Sequence, residues 1–91
     1  MGREAVIGEL RAALEAALAP TALEIIDDSA RHAGHEGARA GGHFRVTLVA
    51  EAFRGRSALE RHRLVYAAVA PLLQGAVHAL NISAHTPDEV H

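Results

Sequence analysis

An α+β domain, with helices covering one face of a three-stranded mixed sheet, is the fold class predicted for this 91-residue chain. Two stretches repeat apolar residues at helical spacing, and three short stretches are β-branched or alternate apolar with polar. Their order is α-β-β-α-β with a short helical turn at the end, and at this length one core is expected, so residues 1–91 are read as a single domain.

From Arg3 to Ala19, the residues Val6, Ile7, Leu10, Leu14, Ala17 and Leu18 make one stripe of an amphipathic helix that Pro20 closes. "LEIIDD", Leu23 to Asp28, is short, rich in isoleucine and ends on turn formers, as a strand does. Residues 29–42 carry no periodicity and are read as a flexible loop rich in glycine and histidine, long enough in so small a domain to suggest a function. In "HFRVTLVA", Phe44, Val46, Leu48 and Ala50 alternate with His43, Arg45, Thr47 and Val49, a strand with one buried face that should pair antiparallel with the first. Ser57 followed by Glu60 forms a capping box for a second helix, whose inward stripe is read as Leu59, Val65, Tyr66, Val69, Leu72 and Leu73. Pro71 should kink that helix or split off its last turn, and Gly75 is a natural stop. "VHALNISAH" alternates again, with His78, Leu80, Ile82 and Ala84 on one side. Its preceding helix implies a crossover and parallel pairing. Thr86 and Pro87 suit the cap and first position of a closing helical turn.

Composition narrows the function. Apolar residues at 49% and charged residues at 22% are ordinary for a globular domain, and no apolar run approaches a membrane span. Acids at Glu4, Glu9 and Glu15 do not suit a secretory or transit segment, so a cytoplasmic location is expected, with which the lack of cysteine agrees. The net charge of −2 lacks the basic excess usual in nucleic-acid-binding domains. Arg54, Arg56, Arg61 and Arg63 nevertheless form a local basic cluster, which with His62 is a candidate docking or nucleic-acid surface; a solvated helix face with four arginines is the plainer reading. Three aromatics, Phe44, Phe53 and Tyr66, are too few for a base-stacking platform, and "FRGRS" has one glycine where a KH-type phosphate loop has two. His62 falls within the apolar stripe of its helix and is read as buried against Tyr66.

Catalysis finds little support, for there is no nucleophile elbow, P-loop or His-Glu-x-x-His, and Asp27 and Asp28 are adjacent and so face opposite ways on a strand. A non-enzymatic protein is expected. "HAGHEGARAGGHF", residues 32–44, concentrates imidazole in a chain with no thiolate. A zinc site from His32, His35 and His78 is conceivable, but no general base accompanies it. On residues alone, His32 and His35 read as solvated loop side chains, and His78 as either a half-buried structural histidine or a ligand. His43, His85 and His91 are read as surface.

Four stretches taken together resemble the BolA family: "LEIIDDSARHAGH", "HFRVTLVAEAF", "FRGRSALERHRLVY" and "VHALNISAHTP", running from Leu23 to Pro87. The combination of Phe-x-Gly, Arg-His-Arg-Leu-Val-Tyr and Val-His-Ala-Leu is specific. The resemblance implies a fold similar to the class II KH domain. It also implies a heterodimer with a monothiol glutaredoxin and a [2Fe–2S] cluster shared with that partner and glutathione; some family members are transcriptional regulators that bind DNA. It assigns ligand roles to His78 and to the loop histidine His32. The loop here is longer than the family pattern, which makes His35 a rival. No cofactor is then expected in the isolated chain, which should be a monomer.

Overall fold

The computed structural model describes residues 3–28, 42–74 and 77–90, and within these the element order matches the expectation. Helix α1 spans Arg3–Leu18, strand β1 Ala22–Asp27, strand β2 Gly42–Val49, helix α2 Ala58–Val69 and strand β3 Val77–His85. Short 3-10 turns at Glu51–Phe53, Ala70–Gln74 and Pro87–Glu89 follow β2, α2 and β3. The sheet order is β1-β2-β3, antiparallel between β1 and β2 and parallel between β2 and β3. Loop residues 29–41, including His32 and His35, lie outside the described residues, as do His91 and the side chain of His78.

One core holds these elements together. On α1, Val6, Leu10, Leu14 and Leu18 recur every four residues and are all buried, while Ala17 is exposed. They meet the inward row of β2, Phe44, Val46 and Leu48, with Ala50 and Phe53 beyond the strand. The register extends that row sideways through Leu23 and Ile25 on β1 and through Leu80, Ile82 and Ala84 on β3. Helix α2 contributes Val65 and Val69, with Leu64, Ala68, Leu72 and Leu73 partly covered. Complete burial of a leucine such as Leu10 or Leu14 contributes about 1.5–3 kcal/mol.

The inward face of α2 differs from the sequence expectation in its first two turns. Leu59 is 59% and Tyr66 39% exposed, and His62, expected to be buried, is exposed as well. The physical reason lies one position earlier: Arg61 is the residue on the sheet-facing side of the first turn, and the stripe runs 61, 64/65, 68/69, 72. Arg61 reaches the Ala84 carbonyl at 3.0 Å, so His62, about 100° further round, faces water. The other local signals hold. Ser57 Oγ accepts from Glu60 N–H at 3.2 Å while the Glu60 carboxylate accepts from Ser57 N–H at 2.8 Å. Pro71 lies in the 3-10 turn that replaces the last turn of α2.

Two arginine bridges lash the final turn to the rest. Arg54 binds Glu51 and Asp88, each at 2.7 Å. Arg61 holds Glu89 through both of its terminal nitrogens, at 2.8 and 3.0 Å. Glu89 also accepts from the backbone N–H of buried Thr86 at 2.9 Å. Hydrogen bonding from Arg61, then from Thr86, pulls the Glu89 pKa down to about 2. Gly55, in the Phe-x-Gly motif, turns the chain into α2 at φ +75°, where a side chain would be strained although nothing lies near enough to clash.

Two outcomes are expected. Ala19 adopts φ +46° at the C-terminal end of α1, a left-handed conformation that costs a residue with a Cβ about 1–2 kcal/mol. Ala19→Gly should therefore raise stability by about 0.5–1 kcal/mol in urea unfolding, after allowing for the freer unfolded chain. An unchanged or lower midpoint would contradict the strain. The Glu89 bridge, with its folded pKa depressed from 4.5, contributes stability that is present above pH 4.5 and fades as pH falls towards 2. The melting temperatures of wild type and Glu89→Gln should thus differ at neutral pH and converge in strong acid.

Candidate functional site

The sheet has two chemically distinct ends. At one, β1 finishes and β2 and β3 begin, so the segment 29–41 leaves Asp28 and re-enters at Gly42 beside the start of β3. At the other lie the first turn of α2, the Pro87–Glu89 turn and the arginine bridges. His78 and Ala84 are six residues apart on β3, so the two ends are separated by about 20 Å.

At the first end the ladder between β2 and β3 is irregular. Gly42 pairs with Val77, but His43 pairs with Ala79, so β3 carries one extra residue and His78 shares with Ala79 the place opposite His43. Val77 is sealed in the core at 1% exposure and Leu80 lies on the inward row, with two positions between them where regular alternation has one. The simple alternation that groups His78 with Leu80, Ile82 and Ala84 is thus interrupted at its first member. The N–H of Asp28 donates to the His43 carbonyl at 2.7 Å, extending the β1–β2 ladder by one rung. Asp28, His43, Phe44, Ala79, Leu80 and Asn81 line a hollow of about 170 Å³ there. Arg45 reaches Asp28 Oδ2 at 3.3 Å, and His43 is half-buried. Asp28 stands beside His43 through the antiparallel β1–β2 ladder, and position 78 joins them through the parallel β2–β3 pairing, whose register has no local signature in the sequence.

At the second end, Arg56, Ala58, Arg61, His62 and Ala84 line a cleft of about 300 Å³. The arginines that the sequence groups together are unequal. Arg54 and Arg61 are committed to Glu51, Asp88 and Glu89, and Arg61 also donates to the Arg56 and Ala84 carbonyls. Arg56 donates to the Ala52 carbonyl at 3.2 Å. Arg63 is exposed and makes no ion pair with a described residue. Much of the apparent positive charge is therefore cancelled within the molecule. Among the described residues no group of three histidine or acidic side chains is set to hold a metal ion, and no helix is long and apolar enough to cross a membrane.

A family model described as BolA-like protein matches residues 14–89. Human BolA-like protein 1 is 50% identical over 78 residues, an alignment covering 86% of this chain and 56% of the human one, so the chain spans little more than half the length of that relative. The Escherichia coli K12 protein named DNA-binding transcriptional regulator BolA is 39% identical over 89 residues, covering 98% of this chain and 79% of that one. The solved BolA domain of SufE1 from Arabidopsis thaliana matches with a TM-score of 0.81 at 43% identity, over 91% of this chain and 93% of that one. Sequence and architecture agree, and the chain belongs to the BolA family.

Proposed function

We propose that the chain is a non-enzymatic partner of a monothiol glutaredoxin, with which it shares a [2Fe–2S] cluster in cytoplasmic iron–sulfur assembly, transfer or iron sensing. The observation that carries the reading is the meeting, at one end of the sheet, of the irregular rung at His78 and both roots of the segment bearing His32 and His35. The donor chemistry fits. The chain has seven histidines and no cysteine, and imidazole can replace thiolate on one iron of such a cluster.

When bound, the cluster supplies one-electron chemistry at a potential that nitrogen ligands raise. His78, on a hydrogen-bonded strand, would hold one ligand position, and a second imidazole, His32 or His35, would complete this chain's share. Sulfur comes from the glutaredoxin and glutathione, so the isolated chain holds no cluster. Each imidazole ligates only through an unprotonated nitrogen.

Mixing the chain with a monothiol glutaredoxin, glutathione, iron and sulfide should give a heterodimer whose visible spectrum differs from that of the glutaredoxin homodimer. His78→Ala should erase the difference; survival of the altered spectrum would remove His78 as a ligand. Because a proton and the metal compete for the same ring nitrogen, sharing should weaken as pH falls from neutral into the acid range. A titration of the heterodimer spectrum reads this directly.

A second reading, a nucleic-acid-binding regulator acting through the 57–74 region, draws on the printed name of the Escherichia coli relative. With Arg54 and Arg61 held by carboxylates, Arg56 and Arg63 are left to meet phosphate, beside His62. Two such contacts give a slope of about −2 in log affinity against log salt. A flat response in a salt titration would discard this reading.

A further inference from the structure

We infer that the outer surface of the helix layer is a self-association face, on which α1 of one copy packs over α2 of a second copy and α2 packs over its α1. This contact is separate from cluster sharing, and the weak dimer it makes stands in place of the monomer expected for the isolated chain.

The two helices lie on the same side of the sheet and touch each other, and their inward stripes share one core. Their outward stripes differ in kind. On α2 and the turn after it, Leu59, Arg63, Tyr66 and Ala70 follow one another at helical spacing, all exposed, on the side away from buried Val65 and Val69. The Tyr66 hydroxyl donates to the Leu80 carbonyl at 3.3 Å, which fixes the ring while leaving it open to solvent. On α1 the outward stripe is Ala5, Gly8, Ala12 and Ala16, again all exposed but all small.

Gly8 is the informative position. Glycine inside a helix weakens it relative to alanine, and nothing within one copy requires it there, since a methyl group at Gly8 would meet no atom within 4 Å. A second helix lying against α1 supplies the missing reason. A trough of small side chains lets another helix approach to about 8 Å, the near end of the helix-packing range, and the ridge of Leu59 and Tyr66 is shaped to fill it.

The charges are complementary as well. Arg63 stands between Leu59 and Tyr66 on the ridge, and Glu9 flanks the trough; both are exposed and make no ion pair among the described residues. Laying the ridge of one copy in the trough of another brings these opposite charges together. A twofold axis parallel to the helices and midway between the two layers places α1 over α2 at two equivalent positions, so each favourable pair occurs twice and assembly stops at two copies. Two helices about 10 Å apart and overlapping over about 18 Å present about 400 Å² per copy. The total of about 800 Å² falls short of the roughly 1,200 Å² at which stable interfaces begin, so the dimer forms only as concentration rises.

Sedimentation velocity on the full chain, with no iron and no glutaredoxin, tests this between about 10 µM and about 1 mM, the range that suits an interface of this size. Wild type should sediment faster as concentration rises, approaching the mass of two copies. Arg63→Glu should weaken the dimer about tenfold, because each reversed charge acts at two equivalent pairs, and adding Glu9→Arg to it should restore most of the affinity. Gly8→Gln should raise the urea midpoint by removing a glycine from a helix and yet weaken the dimer by a similar factor, a combination that a purely structural role for Gly8 does not give. A single sedimentation coefficient across the range, growth past two copies, or a dimer that Arg63→Glu or Gly8→Gln leaves at full strength overturns the inference. Since neither cluster nor glutaredoxin is present, each of these results leaves the cluster-sharing reading intact.

Discussion

Everything in this fold depends on β2 being paired on both sides, antiparallel to β1 and parallel to β3. Antiparallel strands can be joined directly, but a parallel neighbour can be reached only by a crossover from one end of the sheet to the other. Helix α2 and its 3-10 extension supply that crossover. It covers the inward row of Phe44, Val46 and Leu48, and it returns the chain to begin β3 at the end where β1 and β2 connect. The candidate site is thus a product of topology. Backbone positions 43 and 78, distant in sequence, become neighbours because one strand has two partners of opposite sense.

The two ends of the sheet work by different physics. The end with Arg54 and Arg61 is closed electrostatically: the Arg54 guanidinium is shared between the Glu51 and Asp88 carboxylates, that of Arg61 between the Glu89 carboxylate and two backbone carbonyls, and the final turn is fastened by them. The end with His43 and position 78 is polar but lightly charged, with Arg45 and Asp28 balancing one another. Groups about 20 Å apart with no shared partners behave almost independently, so a change at one end of the sheet leaves the bridges at the other largely unaffected.

Most of the fold was legible in the sequence because its signals are local. The alternation in "HFRVTLVA", the Ser57–Glu60 box, the block at Pro71 and the cap at Thr86 each act within a few residues, and each element lies within a residue or two of its expected place. The orientation of α2 was less legible, since Leu59 and Tyr66 look like core residues until Arg61 is seen to need the sheet-facing side for Glu89 and Ala84. The site was legible in residue types only. His78 stood out from its motif, but the extra residue in β3 that sets it against His43 depends on long-range register, which side-chain periodicity does not encode.

The irregular rung has a consequence for solubility. In a three-stranded sheet β3 is an edge, and a long straight edge invites a strand from another molecule to add to it, the first step towards aggregation. An extra residue near the start of β3 throws its outer peptide groups out of step with any regular incoming strand. The extra residue that sets position 78 opposite His43 therefore also interrupts the border along which a strand from another copy would have to add.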